Sequence, residues 1–361
     1  MPELNISALF QAVFALQPDD RVCVMVDQPH GTIADNTDWQ DRRAMATDWR
    51  RAFERENIAH VHPLLTYPAT GANNGDLPIH GECDGHTVKL ADVWRESTIL
   101  VAMTQYSATA PLARYATQHP PVRVASMPGV LRRMEQTALA ADYQAIAQKT
   151  RWLAGELTRA DRAEVVFATG DTMIFDLRHR TGHADDGACH PGKDFPLINL
   201  PSGEAFIVPY EGELSGDPSQ TQGTLPVQQD TERYTLEVAA NRICRVIGDG
   251  PRAQAFARYL REEPARANVA ELGLGCNECA VVRGAVIEDE KAGVHWAYGR
   301  SEHLGGTVGP DVFSAPDRVI HQDIVYAADS PISADRCTLF MPNGTTRVIM
   351  AKGQYQWPTC S

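Results

Sequence analysis

The chain contains no apolar run approaching the roughly 20 residues that a helix needs to cross a bilayer. It also lacks a stripe of basic residues, and 33 Lys and Arg against 46 Asp and Glu give a net charge of -13. Binding to a phosphate backbone needs a concentrated basic face, so nucleic acid is not expected as a partner. The start, MPELNISALFQAVFALQPDD, has no basic residue before its apolar middle. It predicts an amphipathic helix rather than a secretory signal, and we expect a cytoplasmic protein without a membrane partner.

Several familiar active-site motifs are also missing. There is no His-Glu-x-x-His of a one-helix zinc site, no Gly-x-Ser-x-Gly elbow of a serine hydrolase, and no Gly-x-Gly-x-x-Gly after the first strand-like run. Cys276 and Cys279 form a Cys-x-x-Cys, but no second one exists to complete a structural zinc site. The eight scattered cysteines indicate free thiols rather than a disulfide framework.

The length of 361 residues predicts two domains. Residues 1–160 alternate strand and helix signals, beginning with RVCVMVD and DWQDRRAMATDWRRAFERENI, and predict an α/β domain with a doubly wound parallel sheet. Residues 161–361 contain short strands, the hairpin signal EVAANRICRVIGDG and the helix PRAQAFARYLREE, and predict a mixed α+β, mostly antiparallel domain. Two polar stretches, the histidine-rich His179–Asp194 and Tyr210–Gly223, are expected to be long loops.

Four strand-like stretches of the second half each carry an acid or an imidazole among small and apolar residues. They are NLPSGEAFIVP with Glu204, VAELGLGCN with Glu271, AGVHWAYG with His295, and VIHQDIVY with His321 and Asp323. Three of them have a simpler explanation: a hydrogen-bonded or surface His-Asp pair for His321 and Asp323, a glycine bulge for Glu271, and a satisfied core histidine for His295. Buried carboxylates are costly without a cation or hydrogen-bond partners, so the shared pattern favours a metal site.

Strand geometry and charge extend this hypothesis. His321 and Asp323 project from the same side of a strand, and Glu271 shares its side with Gly273 and Gly275, which opens room for a ligand or a close backbone approach. Three carboxylates carry −3, so one divalent ion leaves −1 and two leave +1. Five side chains also exceed the three protein ligands typical of a single catalytic zinc. Two neighbouring metal ions therefore fit better than one.

Taken in order, NLPSGEAFIVP, AELGLGCN, EDEKAGVHWAYG, the pair Gly305-Gly306 and IHQDIVY resemble the aminopeptidase T family of metallopeptidases, along Phe195 to Ala327. The resemblance implies a two-metal, exopeptidase-type hydrolase, usually dimeric, with an N-terminal α/β domain. It places the family's metal ligands on Glu204, Glu271, His295, His321 and Asp323.

The sequence departs from this family at one site residue. Larger members have a tyrosine about seven residues after the first histidine, whereas RSEHLGG offers Glu302 or His303 here as a substrate or auxiliary residue. A related branch comprises ferrous ring-cleaving dioxygenases acting on dihydroxypyridines, in which a histidine stands where Glu271 stands. Glu271 favours the hydrolase, although an iron site could be assembled from His295, His321 and Asp323.

We therefore predict a metal-dependent aminopeptidase-like hydrolase that binds two divalent ions, zinc, cobalt or manganese, with iron as the alternative. Glu204 and Glu271 are the candidate catalytic residues, with Glu204 as the general base. The expected substrate is a small peptide or aminoacyl compound, and the expected assembly is a homodimer. The acids Glu288, Asp289 and Glu290 could bind the substrate's amino group or form a solvated turn. The alternatives are a ferrous ring-cleaving dioxygenase and a non-catalytic metal or small-molecule binding protein.

Overall fold

The computed structural model describes residues 4–55 and 60–358. The chain forms two compact units, and each unit draws on separate stretches of the sequence. The first contains the chain up to Ala147 with Asp185–Gly203 and Asn277–Lys291, and the second contains Gln148–Ala184, Glu204–Cys276 and the chain from Ala292 onward.

The strands are numbered along the chain. The first eleven are β1 (Arg21–Gln28), β2 (His60–Val61), β3 (Leu65–Pro68), β4 (His80–Cys83), β5 (His86–Lys89), β6 (Ile99–Ala102), β7 (Arg123–Ser126), β8 (Arg162–Phe167), β9 (Thr172–Asp176), β10 (His183–Asp185) and β11 (Leu197–Asn199). The remainder are β12 (Glu204–Ile207), β13 (Gln222–Gln229), β14 (Glu232–Ala239), β15 (Arg242–Ile247), β16 (Val269–Gly275), β17 (Val294–Gly299), β18 (His321–Val325), β19 (Ala334–Phe340), β20 (Thr346–Ala351) and β21 (Gln354–Tyr355).

The α-helices are α1 (Ile6–Phe14), α2 (Thr37–Arg55), α3 (Leu90–Arg95), α4 (Thr109–Gln118), α5 (Tyr143–Arg159), α6 (Pro251–Glu262) and α7 (Val286–Asp289). Short 3₁₀ helices occur at Arg132–Gln136, Ala138–Ala140, Pro264–Ala267, Glu302–Leu304, Pro310–Val312 and Pro316–Arg318. Within the described part of the chain, every helix falls short of the length and apolar character that a membrane span needs.

The first unit contains a mixed sheet with the strand order β11-β7-β6-β1-β3-β4-β5, and β2 pairs with β1 beside this path. The strands β1, β2, β3, β6, β7 and β11 are paired in parallel. Alternate residues of β1 pack into two different core clusters, Val22, Val24 and Val26 into one, and Cys23 and Met25 into the other. Both faces of this strand are therefore buried, which explains its continuous apolar run.

The antiparallel edge β4-β5 of this sheet was not predicted. A turn at Asp84 and Gly85 joins the two strands, and both residues have positive φ angles, 49° and 78°. Asp-Gly is a strong signal for a two-residue hairpin turn, but the flanking strands are short and polar.

The second unit contains two sheets in which pairs such as β12-β16, β16-β17, β17-β18, β14-β15 and β8-β19 are antiparallel, as predicted for most of these segments. One sheet has the order β15-β14-β13-β9-β8-β19-β20-β21, including the predicted hairpin β14-β15, and the other has the order β10-β12-β16-β17-β18. In the second of these sheets, alternate residues of β12, β16 and β17 join one hydrophobic core: Ala205, Ile207, Leu272, Leu274, Val294 and Trp296. The opposite face of the same strands carries acidic and imidazole side chains, including Glu204, Glu271 and His295.

Leu272 tests the importance of this core. Its side chain is fully buried, with 0% exposure, and its residue pairs with Ile207 and Trp296 on the neighbouring strands. We expect Leu272→Ala to lower the free energy of unfolding by about 2–5 kcal/mol, because it removes buried methyl groups and leaves a cavity. Urea unfolding monitored by tryptophan fluorescence measures the change. Ile247→Ala, at an exposed position of β15, is the control, and equal losses in both variants would contradict the prediction.

Candidate metal centre

One face of the β12-β16-β17-β18 sheet carries all five predicted ligands. Directly opposed residues on antiparallel strands point to the same side. The register pairs Glu204 with Gly275, His295 with Gly273, and His321 with Gly299, while Ala297 lies between Glu271 and Asp323. The side chains of Glu204, Glu271, His295, His321 and Asp323, hereafter the five-residue cluster, therefore share the face opposite the core.

Small residues make room on this face. Each member of the five-residue cluster is opposed on at least one neighbouring strand by glycine or alanine, and His295 is opposed by Val325 on β18. The closest approach is at Gly273, where an added Cβ would lie 1.9 Å from Nε2 of His295. The imidazole of His295 thus lies directly over the Gly273 backbone. Sequence reasoning anticipated room beside Glu271, but it did not identify His295 as the group that occupies it.

Glu271 stands at the centre of the five-residue cluster. Its Oε1 lies 3.7 Å from Nε2 of His295, and its Oε2 lies 3.0 Å from Nε2 of His321. His295 Nε2 is also 3.1 Å from Oε2 of Glu204, and His321 Nε2 is 3.7 Å from Oδ1 of Asp323. The two oxygens of one carboxylate therefore face the two different imidazoles.

Hydrogen bonds fix the orientation of both imidazoles. Nδ1 of His321 lies 2.7 Å from the carbonyl oxygen of Arg300, and Nδ1 of His295 lies 3.2 Å from that of Gly293. A carbonyl oxygen only accepts, so each Nδ1 is the nitrogen that donates. Each Nε2 is then directed toward carboxylate oxygens, where a neutral imidazole would place a lone pair against negative charge. A proton or a metal ion at Nε2 relieves this repulsion, and the same Nδ1 bond to a carbonyl orients metal-binding histidines.

The charges perturb one another strongly. Burial alone would lower the pKa of His295, but hydrogen bonding to Glu204 and Glu271 outweighs it and raises that pKa well above its usual value. Burial would also lower the pKa of His321. The hydrogen bond to Glu271 and the negative charges of Asp323 and Glu271 outweigh burial and raise that pKa to about 9. Burial would raise the pKa of Glu271, yet the two histidines hold it well below the usual range. Burial raises the pKa of Asp323.

The five-residue cluster has the ligand types and spacing of a metal site. Ligand atoms of Glu204, Glu271 and His295 lie within 4.8 Å of one another, and so do those of Glu271, His321 and Asp323. Oδ1 of Asp323 is buried without a hydrogen-bond partner among the described residues. An unsatisfied buried carboxylate oxygen next to imidazole nitrogens is suited to a divalent cation. The two groups share Glu271, so they describe two adjacent candidate metal positions.

The two auxiliary candidates lie on the 3₁₀ turn after β17. The His303 ring stands edge-on to the His321 ring, with centroids 4.9 Å apart and planes at 88°. Glu302 is exposed and forms an ion pair of 2.7 Å with Arg300. Of the two, His303 is the residue that contacts the five-residue cluster, through the ring of His321.

Other sequence candidates have separate surroundings. Cys276 is buried in the core and Cys279 is half-buried, and neither belongs to the two metal-ligand groups. His179 contacts Asp217 at 3.1 Å, whereas the His183 ring stacks on Phe206 at 5.4 Å.

The acids at 288–290 do not form a solvated turn. Glu288 is fully buried and accepts from the hydroxyl of Thr137, and Asp289 accepts from the backbone N–H groups of Arg283 and Gly284. Glu290 pairs with Lys291 at 2.9 Å. These internal bonds and the full burial of Glu288 count against a role in binding a substrate amine.

Comparison with known proteins shows a shared fold. No protein-family model and no curated protein matches this sequence. The 2,5-dihydroxypyridine dioxygenase of Pseudomonas putida KT2440 matches with a TM-score of 0.62 and 18% identity, over 98% of this chain and 97% of that chain. Wild-type AmpT (aminopeptidase T) of Thermus thermophilus matches with a TM-score of 0.59 and 13% identity, over 97% of this chain and 98% of that chain. Both neighbours are enzymes, and at these identities they establish a distant structural relationship.

Gly273 provides a test of the packing under His295. Gly273→Ala should displace the imidazole, because the new Cβ would overlap Nε2. We expect about tenfold or greater weakening of Zn²⁺ or Mn²⁺ binding, measured by equilibrium dialysis. Gly155→Ala in α5 is the matched control, since its added Cβ would make only ordinary contacts, 3.5 Å or longer. Unchanged affinity in Gly273→Ala would contradict a metal position beside His295.

Metal binding should release protons. A raised pKa means that the proton is bound below that pKa and lost above it, so both imidazoles are charged at pH 7 in the metal-free protein. Metal ions bind the deprotonated Nε2, so loading at pH 7 should release up to about two protons per chain. The number should fall as the pH passes about 9, where His321 has already lost its proton. Calorimetric titration in two buffers of different ionisation enthalpy measures it, and tight binding at pH 7 without proton release would contradict the predicted protonation.

Proposed function

We propose that the protein is a metal-dependent hydrolase of the aminopeptidase type, which cleaves an N-terminal aminoacyl amide or peptide bond at a two-metal site. The observation that carries the proposal is the shared carboxylate: Glu271 belongs to both metal-ligand groups, one with Glu204 and His295 and one with His321 and Asp323. Adjacent metal positions that share a carboxylate are a recurrent arrangement in hydrolytic enzymes. The distant structural relationship to AmpT and the resemblance to the aminopeptidase T family support the same reaction class.

The side chains of the five-residue cluster have different roles in the proposed reaction. Bound divalent ions would supply Lewis acidity and lower the pKa of a water. Glu271 faces both imidazoles and belongs to both metal-ligand groups, whereas Glu204 belongs to one, so Glu271 is the less suitable proton acceptor. We therefore assign Glu204 as the general base that takes the proton of water and returns it to the leaving amine. His295 and His321 orient the ligand set through their Nδ1 bonds to carbonyl oxygens.

The catalytic domain, the metal, the substrate class, the assembly and the location that we propose are those that the sequence predicts. We propose that the mostly antiparallel segments form the catalytic domain and that zinc, cobalt or manganese is the metal. The substrate class is a small peptide or an aminoacyl small molecule, and the active form is a homodimer. We also propose that the protein is located in the cytoplasm.

A ferrous ring-cleaving dioxygenase is the second candidate. The structural match to the 2,5-dihydroxypyridine dioxygenase favours it. However, the set His295, His321 and Asp323 does not form one of the close ligand groups among the described residues, because Glu271 is the partner of His321 and Asp323. An iron site here would have one histidine and two carboxylates. The non-catalytic alternative would be supported by ligands that point apart, whereas these side chains converge.

Metal content and substrate tests separate the two enzymes. We expect protein purified without a chelating tag to contain about two equivalents of zinc, cobalt or manganese per chain, and to hydrolyse aminoacyl p-nitroanilides and dipeptides. Chelation should abolish the hydrolysis, and Zn²⁺, Co²⁺ or Mn²⁺ should restore it. One equivalent of iron with oxygen uptake on dihydroxypyridines would instead establish the oxygenase.

The role of Glu204 has its own test. Glu204→Gln should lower kcat by about 10²–10⁴-fold, because the amide cannot accept the proton. Glu237→Gln is the control, since Glu237 lies outside the candidate site and pairs with Arg245 at 2.7 Å. Elemental analysis of each variant distinguishes loss of the base from loss of metal. Full turnover by metal-loaded Glu204→Gln would show that the base has been misassigned.

A further inference from the structure

A closed loop follows β17 and reaches the edge of the five-residue cluster. It spans Ser301–Val308, and the N–H of Ser301 donates to the carbonyl of Val308 at 3.0 Å. The N–H of Gly306 donates to the carbonyl of Ser301, also at 3.0 Å. His303 lies on the short helical turn of this loop, and its ring meets the ring of His321.

The glycine pair lets the loop close. Gly305 has a φ of 99°, in the left-handed region, and ends the helical turn that carries His303. A Cβ on Gly306 would lie 2.3 Å from Oγ of Ser301, so a side chain has no room there. The path of the loop therefore depends on close contact between its two ends.

A single carboxylate, Glu211, joins these ends. Its Oε2 accepts from both the N–H and the hydroxyl of Thr307 at 2.6 Å, and its Oε1 accepts from the hydroxyl of Ser301 at 2.5 Å. Asn268 donates to Oε1 at 2.9 Å, and Arg180 approaches Oε2 at 3.5 Å. The Glu211 side chain is only 5% exposed, so these donors replace water around its charge.

We propose that Glu211 is a positioning residue of the candidate active site, which holds the Ser301–Val308 loop so that His303 faces His321 at the metal centre. Glu211 belongs to neither of the two metal-ligand groups. It acts through the backbone and hydroxyl groups of the loop. His303 supplies a hydrogen-bonding imidazole at the rim, where a bound substrate would meet the protein. The catalytic part of this inference rests on the proposed hydrolase function, whereas the positioning part rests on the loop contacts.

The test uses Glu211→Gln, which keeps the size of the side chain and removes its charge. Glu213→Gln is the matched control, because Glu213 pairs with the same Arg180 at 2.6 Å. Hydrogen exchange followed by mass spectrometry should show about tenfold faster exchange at Gly306, Thr307 and Val308 in Glu211→Gln, with no change in Glu213→Gln. Carbethoxylation of His303 by diethyl pyrocarbonate should accelerate in Glu211→Gln alone. Unchanged exchange or unchanged His303 reactivity would overturn the positioning role.

A double-mutant cycle tests whether Glu211 acts through His303. With Zn²⁺ content equal in all variants, Glu211→Gln and His303→Ala should each lower kcat for an aminoacyl p-nitroanilide. The double variant should match His303→Ala, because the two residues act in series. Additive losses would overturn the coupling. If the wild-type protein fails to hydrolyse any aminoacyl amide, the proposed function fails, while hydrogen exchange and His303 reactivity still decide the positioning role.

Discussion

Three carboxylates on one face of a sheet impose the charge requirement on which the candidate site depends. Glu204 and Glu271 are buried, and only 8% of the Asp323 side chain is exposed, so water cannot balance their charge. His295 and His321 supply the compensation when they are protonated, and a divalent cation supplies it when they are not. Because each Nδ1 donates to a carbonyl oxygen, both forms direct Nε2 at the carboxylates. The candidate site could therefore exchange protons for a metal ion without rotation of either imidazole ring.

The same sheet supports the site mechanically. Its opposite face supplies Leu272, Leu274 and Trp296 to the core, so the strands that carry the ligands are fixed by apolar packing. Glycine and alanine opposite each ligand provide the space that large side chains would otherwise fill. A rigid strand with one apolar face and one charged face positions ligands more accurately than a loop does. The Ser301–Val308 loop, which carries His303, instead depends on Glu211.

Local patterns were sufficient for much of this arrangement. The alternation of RVCVMVD with DWQDRRAMATDWRRAFERENI predicted the strand β1 and the helix α2, whose buried residues include Trp39, Ala46, Trp49 and Phe53. Period-two spacing placed His321 with Asp323 and Glu271 with Gly273. Register between strands is a long-range property, so the pairing of His295 with Gly273 and the shared position of Glu271 could not be read locally. Nor could the burial of Glu288, which depends on Thr137, 151 residues away.

Charge balance separates the two candidate reactions more sharply than the fold does. With both imidazoles neutral, the five-residue cluster carries −3, so two divalent ions leave +1 and a single one leaves −1. A buried residual −1 favours retention of a proton, and an imidazolium that keeps its Nε2 proton cannot ligate a metal. A single iron held by Glu271, His321 and Asp323 would thus leave His295 protonated against Glu204 at 3.1 Å. Two ions would displace both protons, and Glu271 would be among the residues that hold each ion. A histidine in place of Glu271 would remove one negative charge and would reduce the need for a second cation. The carboxylate at position 271 is therefore the feature of this chain that most favours the proposed hydrolase over the oxygenase.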